Sequence, residues 1–220
     1  MSILAIGAHP DDIEIGCGGT LAKLISQGEK VTVLIITDGR AGSLKHDSLK
    51  LVKLRQNEAK KSAKVLGVHN LIFFDLADGL VSYSRDDKLK MIEMIRTIKP
   101  DTIFIHASDD KFNDHQIVRS LVLDSIQVAA GPWYSEAGGS AHFVRKVYGY
   151  EVWNPINRFQ LAVDVSDFME LKLDALKKHK SQVTGINYLD GMKGLGMYRG
   201  VISGMGRYAE VFEVMQNNEL

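Results

Sequence analysis

Apolar positions along this 220-residue chain follow two alternating patterns. Short runs rich in β-branched residues, at 3–8, 31–37, 71–74 and 102–106, carry no Asp, Glu, Lys or Arg, as strands buried on both faces do. Between them lie segments with helical spacing at 21–27, at 48–66 closed by Gly67, and at 88–98 closed by Pro100. The alternation predicts an α/β fold, a mostly parallel sheet with helices on both faces in a single domain. Further on, Val118, Leu121, Val122 and Ala129 share one face of a helix that Asp114 is placed to cap. Strands are expected at 147–152 and 160–165, then a helix capped by Ser166 with Met169, Leu173 and Leu176 turned inward. The stretch 131–140, with Trp133 and Tyr134, reads as a long loop whose rings either stack on a ligand or fill a small satellite core. Seven glycines between 183 and 206 leave that region without an assignable element.

Composition narrows the field of partners. Lys+Arg and Asp+Glu both total 27 and the pI is about 7.1, so nothing asks for nucleic acid or an acidic membrane surface. A small neutral ligand suits this balance better. The first apolar run is short and lacks a basic leader, and no stretch approaches the ~18 apolar residues of a membrane span, so a cytoplasmic protein is expected. Cys17 is the only cysteine. That rules out an intrachain disulfide and a thiolate structural zinc site, so any metal must be held by His and carboxylate.

The chemistry concentrates in His9-Pro10-Asp11-Asp12-Ile13-Glu14, directly after the first strand. In an open α/β sheet, ligands bind outside the carboxyl ends of the strands, which is where this segment falls. One imidazole and three carboxylates within six residues repel one another unless a cation joins them. Gly16, Gly18 and Gly19 would let the backbone bend into the next helix. A phosphate turn or simple helix capping is the plainer alternative, but the glycine spacing misses both the dinucleotide fingerprint and the P-loop. A second cluster, 106–115, follows the fourth strand at the same edge and ends in Asp114-His115. Together His9, Asp12 and His115 supply two imidazoles and one carboxylate, the three protein ligands of a catalytic metal with a position left open.

The Ala8-His9-Pro10-Asp11-Asp12 motif resembles that of the PIG-L/LmbE family of metal-dependent N-deacetylases. Weaker echoes run through Thr37-Asp38-Gly39, Arg55 and Glu58, Lys99-Pro100-Asp101, Asp114-His115, Asp164-Val165-Ser166, Lys172, Ser181-Gln182 and 208–212. The resemblance implies a Rossmann-like domain spanning 1–220 that hydrolyses the acetamide of an N-acetylated, GlcNAc-type sugar or glycoconjugate to free amine and acetate. It implies His9, Asp12 and His115 as ligands of zinc, Asp11 as general base on the metal-bound water, and Arg55 as a contact to sugar hydroxyls or a substrate anion. The donor set also takes Fe2+, Co2+ or Mn2+. Two departures stand out. Phe112 occupies the place where many relatives carry an assisting histidine, so that Asp11 alone serves the leaving amine, or His106 reaches in, or activity is weakened, the first being favoured. Arg40 stands where relatives commonly carry Glu, which marks it as a position bearing on substrate preference. Asp114 either tunes a ligand or caps its helix.

Other readings compete. The same mechanism serves an amidase or deacylase of another N-acyl compound, and a non-catalytic nucleotide- or sugar-binding module could keep the fold, though it has little reason to retain Asp11 beside Asp12. Arg55 could simply pair with Glu58 one turn on. His179, among Lys177, Lys178 and Lys180, is expected on a solvated helix face. His46, His69 and His142 fall at loops or element ends and are assigned no role, and Cys17 is expected to be a packed apolar group. The C-terminal glycine-rich stretch suits a lid or a subunit contact, so a homo-oligomer is expected.

Overall fold

A computed structural model describes residues 1–43 and 47–218; His46 lies outside the described residues. Strands β1 (Ser2–Gly7), β2 (Lys30–Thr37), β3 (Asn70–Leu76), β4 (Thr102–His106), β5 (Lys146–Tyr150), β6 (Leu161–Asp164) and β7 (Ala209–Asn217) form one sheet in the order β3-β2-β1-β4-β5-β7-β6. The first five are parallel, and β7 runs antiparallel to both β5 and β6. The α/β expectation holds, with a single seven-stranded, mostly parallel sheet at its centre.

Alternate residues of β1 serve opposite faces, which is why its apolar run is unbroken. Leu4 and Ile6 join the core beneath α4 (Arg85–Ile98) and α5 (Asn113–Ala129). Ile3 and Ala5 join the core on the other face, which is covered by α1 (Asp12–Gly16), α2 (Gly18–Ser26), α3 (Ser48–Leu66) and α6 (Met169–Leu176). Helix ends follow local chemistry. Asp47 accepts from the N–H groups of Leu49 and Lys50 at the start of α3, and Gly67 ends it in the left-handed region at φ 80°.

Several local expectations need correction. The glycines after His9 do not make a turn into a later helix, since α1 and α2 already occupy this stretch. Gly16 is there for close packing: a Cβ would stand 2.1 Å from the Tyr150 ring. Ser166 does not cap α6. Its Oγ accepts from the N–H groups of Arg207 and Tyr208 and so ties the end of β6 to the start of β7. The region 183–206 is mostly helical, with α7 (Lys180–Val183) and α8 (Tyr188–Ser203). Glycine discourages a helix in isolation, but at Gly200 a Cβ would stand 2.7 Å from the Gly206 and Arg207 carbonyl oxygens, so tertiary contact overrides propensity. The amino end of α2 is satisfied from afar: Glu210 on β7 accepts from Gly19 and Thr20 N–H at 2.9 and 2.7 Å, and Lys172 on α6 balances it at 2.7 Å.

The loop 131–140 lies beyond the carboxyl end of α5, roughly 25 Å along a 17-residue helix from the end that follows β4. Arg96 donates to the carbonyls of Gly131, Trp133, Tyr134 and Gly138 there. Trp133 and Tyr134 are therefore remote from the carboxyl edge of the sheet and are no platform for a ligand bound at that edge.

Candidate metal centre

The crevice between β1 and β4 is where the strand order reverses, the usual ligand position in such sheets. The chain leaves β1 at Gly7, and His9 follows with its backbone N–H donating to Asp12 Oδ2 at 2.7 Å. From the other strand, the 107–112 loop delivers His115 in the first turn of α5. All three side chains are buried. His9 Nδ1 stands 3.1 Å from His115 Nε2, and Asp12 Oδ2 is 3.5 Å from each.

The two imidazoles are held from behind. His9 Nε2 faces Asp78 Oδ1 at 3.1 Å and Asp114 Oδ2 at 3.3 Å, while His115 Nδ1 faces Asp110 Oδ2 at 3.0 Å. Protons on those outer nitrogens turn both inner lone pairs toward each other and toward Asp12. Two lone pairs and a carboxylate oxygen at such distances repel unless a cation sits among them. Donors about 2.0–2.2 Å from one cation stand about 3.3–3.6 Å apart at tetrahedral angles, close to the 3.1 and 3.5 Å found here, so the residues fit a divalent metal. Burial would lower the pKa of His9, but Asp12, Asp114 and Asp78 outweigh it and hold it well above the imidazole range. Burial would likewise raise Asp12, yet His115, His106 and His9 carry it far below the carboxylate range. Both directions express the same demand for positive charge. These buried groups could hold a metal ion, as could two overlapping sets, His106-Asp110-His115 and His9-Asp78-Asp114.

Asp11 points the other way. Its Oδ1 accepts from Arg55 Nη2 at 2.8 Å, and Arg55, buried on α3, also donates to the Gly39 carbonyl. Arg55 thus pairs with Asp11 and not with Glu58, whose carboxylate instead accepts from Ser181 N–H and Oγ. Asp11, Asp12, His9, Arg55 and Asp78 line one cavity of about 200 Å3, bounded by Phe112, Trp153 and Tyr188. Arg40 is not part of that lining; its guanidinium, 45% exposed, turns back onto Asp38. Asp114 does not cap α5, since Phe112 is the cap residue and Asp114 spends Oδ2 on His9 and on Gly79 N–H at 2.8 Å. A larger cavity, about 730 Å3, opens beside Met1, Asp101 and Arg145 at the amino edge of the sheet, with none of the possible metal-holding groups among the described residues.

Glu14 and His179 depart furthest from expectation. Glu14 leaves the cluster and points to α3, accepting from Ser62 Oγ at 2.5 Å. His179 is 0% exposed, not solvated, with Nε2 3.4 Å from Glu14 Oε2. Burial would lower its pKa, but Glu14 prevails and the net shift is upward. A raised folded pKa stabilises fully below the unfolded value near 6.5 and is lost as pH rises through the folded value. His179→Gln is therefore expected to cost roughly 3 kcal/mol at pH 6, with the gap to wild type narrowing by pH 9 in thermal unfolding. A gap independent of pH would sink the assignment.

Sequence reasoning missed Asp78, Asp110, Trp153 and Tyr188. Asp110 was visible only as one of several carboxylates in the second cluster. Nothing local marks the other three, which reach the site from distant parts of the chain.

Comparison with known proteins identifies relatives of the chain as a whole. The family model described as PIG-L, GlcNAc-PI de-N-acetylase, matches residues 4–126. Diacetylchitobiose deacetylase of Thermococcus kodakarensis is 31% identical over 220 aligned residues, covering 94% of this chain and 80% of that protein. The structure of N,N'-diacetylchitobiose deacetylase from Pyrococcus horikoshii, complexed with an inhibitor, superposes with a TM-score of 0.87 at 28% identity, covering 97% and 83% of the two chains. A 4-oxalmesaconate hydratase of Pseudomonas putida is 25% identical over 162 residues, 70% of this chain and 62% of its own length. The chain belongs to the PIG-L family, and its deacetylase homologues mark it as a hydrolase acting on an amide bond.

Proposed function

We propose that this enzyme removes the acetyl group from an N-acetylated amino sugar or glycoconjugate, with zinc held by His9, Asp12 and His115. The observation that carries this reading is the convergence of three buried donor atoms at 3.1–3.5 Å, each imidazole backed by a carboxylate. His106 is a poorer ligand than these. Its Nε2 already accepts the Ala8 N–H at 3.0 Å, and burial, then His115, pushes its pKa down to about 3. Fe2+, Co2+ and Mn2+ suit the same donors.

A divalent metal bound there supplies an acidified water and a polarised amide carbonyl. The chain does the rest. Asp11 Oδ1 is fixed by Arg55, and Oδ2, with no hydrogen bond to the other described residues, takes the proton from the attacking water and passes it to the leaving nitrogen. Arg55 acts here as the positioning residue for that base. Asp78 and Asp114 keep the His9 proton on Nε2, and Asp110 keeps that of His115 on Nδ1. Among the described residues no histidine substitutes for the absent one: Phe112 offers no proton, His106 is neutral and walled in, and His179 is tied to Glu14.

A hydratase acting on a carboxylated compound fits less well. Three carboxylates, Asp11, Asp12 and Asp78, line the cavity against one guanidinium, already engaged by Asp11. The test is metal content of the purified protein with acetate release from N-acetylglucosamine, N,N'-diacetylchitobiose and an N-acetylglucosaminyl inositol. Bound metal with acetate and free amine in equal amounts is expected. Bound metal without acetate from any of the three would overturn the sugar deacetylase reading.

A further inference from the structure

We propose that Phe112, Trp153 and Tyr188 form a stacking wall for the ring that carries the scissile amide, so that pyranosides are preferred over acyclic N-acyl amines. The proposal takes its chemistry, but not its binding argument, from the deacetylase reading.

Size comes first. The cavity, about 200 Å3, is smaller than the ~300–1,000 Å3 of sites that engulf a whole drug-sized ligand. An acetamido group placed among His9, Asp12 and Asp78 leaves the ring attached to it at the mouth. There the lining turns aromatic. Phe112 is 46% exposed and Trp153 48%, their planes tilted by only 26° with centroids 6.3 Å apart. Trp153 continues into Tyr188 at 5.8 Å. Adjoining exposed rings of this kind mark a surface that a ligand covers. A pyranose suits it, with a C–H face for the rings and hydroxyls for the polar lining at Gln182 and the Gly42 backbone.

The wall is also built into the catalytic geometry. One carboxylate, Asp110, accepts the Phe112 N–H at 2.9 Å and the Trp153 N–H at 3.2 Å, and the same group faces His115 Nδ1 at 3.0 Å. On the far side, the buried Glu151–Arg199 pair, at 2.6 and 3.0 Å, fastens the irregular 151–159 segment to α8, the helix that begins with Tyr188. Arg199 and Glu151 further hold the Ile156 carbonyl and N–H. The backbone of both ring-bearing residues is thus anchored to the carboxylate that faces a proposed metal ligand, which sets where the rings start relative to the reacting atoms. Such preorganisation is what ring recognition needs. Phe112, where a histidine was expected, thereby gains a binding role in place of a proton-transfer one.

The chain has two tryptophans, and Trp133 lies near the opposite edge of the sheet, so Trp133→Phe leaves Trp153 as sole reporter. Titrating that protein with glucosamine and chitobiose is expected to give a saturable change in emission, and N-acetylethanolamine none. In kinetics, Trp153→Ala and Phe112→Ala are expected to raise KM for N,N'-diacetylchitobiose by about 10-fold each, a loss several-fold larger than either variant causes for N-acetylethanolamine. Trp153→Phe should restore most of the KM. Equal effects on the cyclic and acyclic substrates, or an emission blind to sugars, overturn the wall. If sugars alter Trp153 emission but no acetate is released, the wall stands and the deacetylase reading fails; acetate release with unaltered KM in both alanine variants gives the reverse.

Discussion

Asp11→Asn is expected to lower kcat for acetate release by about 10²–10⁴-fold, the usual worth of a positioned general base. The amide keeps an acceptor for Arg55 Nη2, so the 2.8 Å contact from α3 and the fold survive. What disappears is the capacity of Oδ2 to take a proton and return it. Since Phe112 puts a ring without a transferable proton at the mouth of the cavity, the loss should fall at the severe end of that range, with KM little changed. Steady-state kinetics with an amine-detecting assay, beside metal analysis of the same preparation, provide the check. Activity within a few-fold of wild type would mean that another group moves the proton.

The second large effect concerns the donors themselves. Asp12→Asn and His115→Ala should each reduce bound metal from about one per chain to a trace and abolish turnover, because two donors seldom retain a catalytic zinc. Stability provides a readout free of activity. A metal at 100 times its Kd adds about 2.7 kcal/mol to the wild type, which at this chain length is roughly 5–10 °C in Tm. Chelation should remove that increment from wild type and from Asp11→Asn, while neither ligand variant should show any increment to remove. A chelator-insensitive Tm in wild type would argue against a metal at this position. The contrast between neighbours is the sharper part of the prediction: Asp11 and Asp12 are adjacent, yet one variant should lose chemistry and keep metal, and the other should lose both.

That division follows from how the loop folds. Asp12 opens α1 and turns toward His9 and His115, whereas Asp11 precedes the helix and turns toward α3. Spacing alone announced a cation site in 9–14 but credited it with three carboxylates. Glu14, two residues along a helix from Asp12, lies on another face and belongs to a buried pair with His179. His179 illustrates the limit of local reading: three neighbouring lysines suggested solvent, and only the packing of 179 against α1 and α3 reversed it.

From its own pattern the chain determined the parallel half of the sheet, the helices between those strands, and the two loops that bear His9, Asp12 and His115. Those features rest on short-range physics, namely unbroken β-branched runs, helix stop signals and motif residues placed just after strand ends. Tertiary structure decided what distant segments contribute. β7 is inserted antiparallel between β5 and β6, and α8 forms despite its glycines because the turn at 206–207 packs against it. Asp78, Asp110, Trp153 and Tyr188 meet around His9 and His115 from four separate parts of the chain. Such meetings depend on which surfaces are buried together, a long-range outcome that no local periodicity encodes.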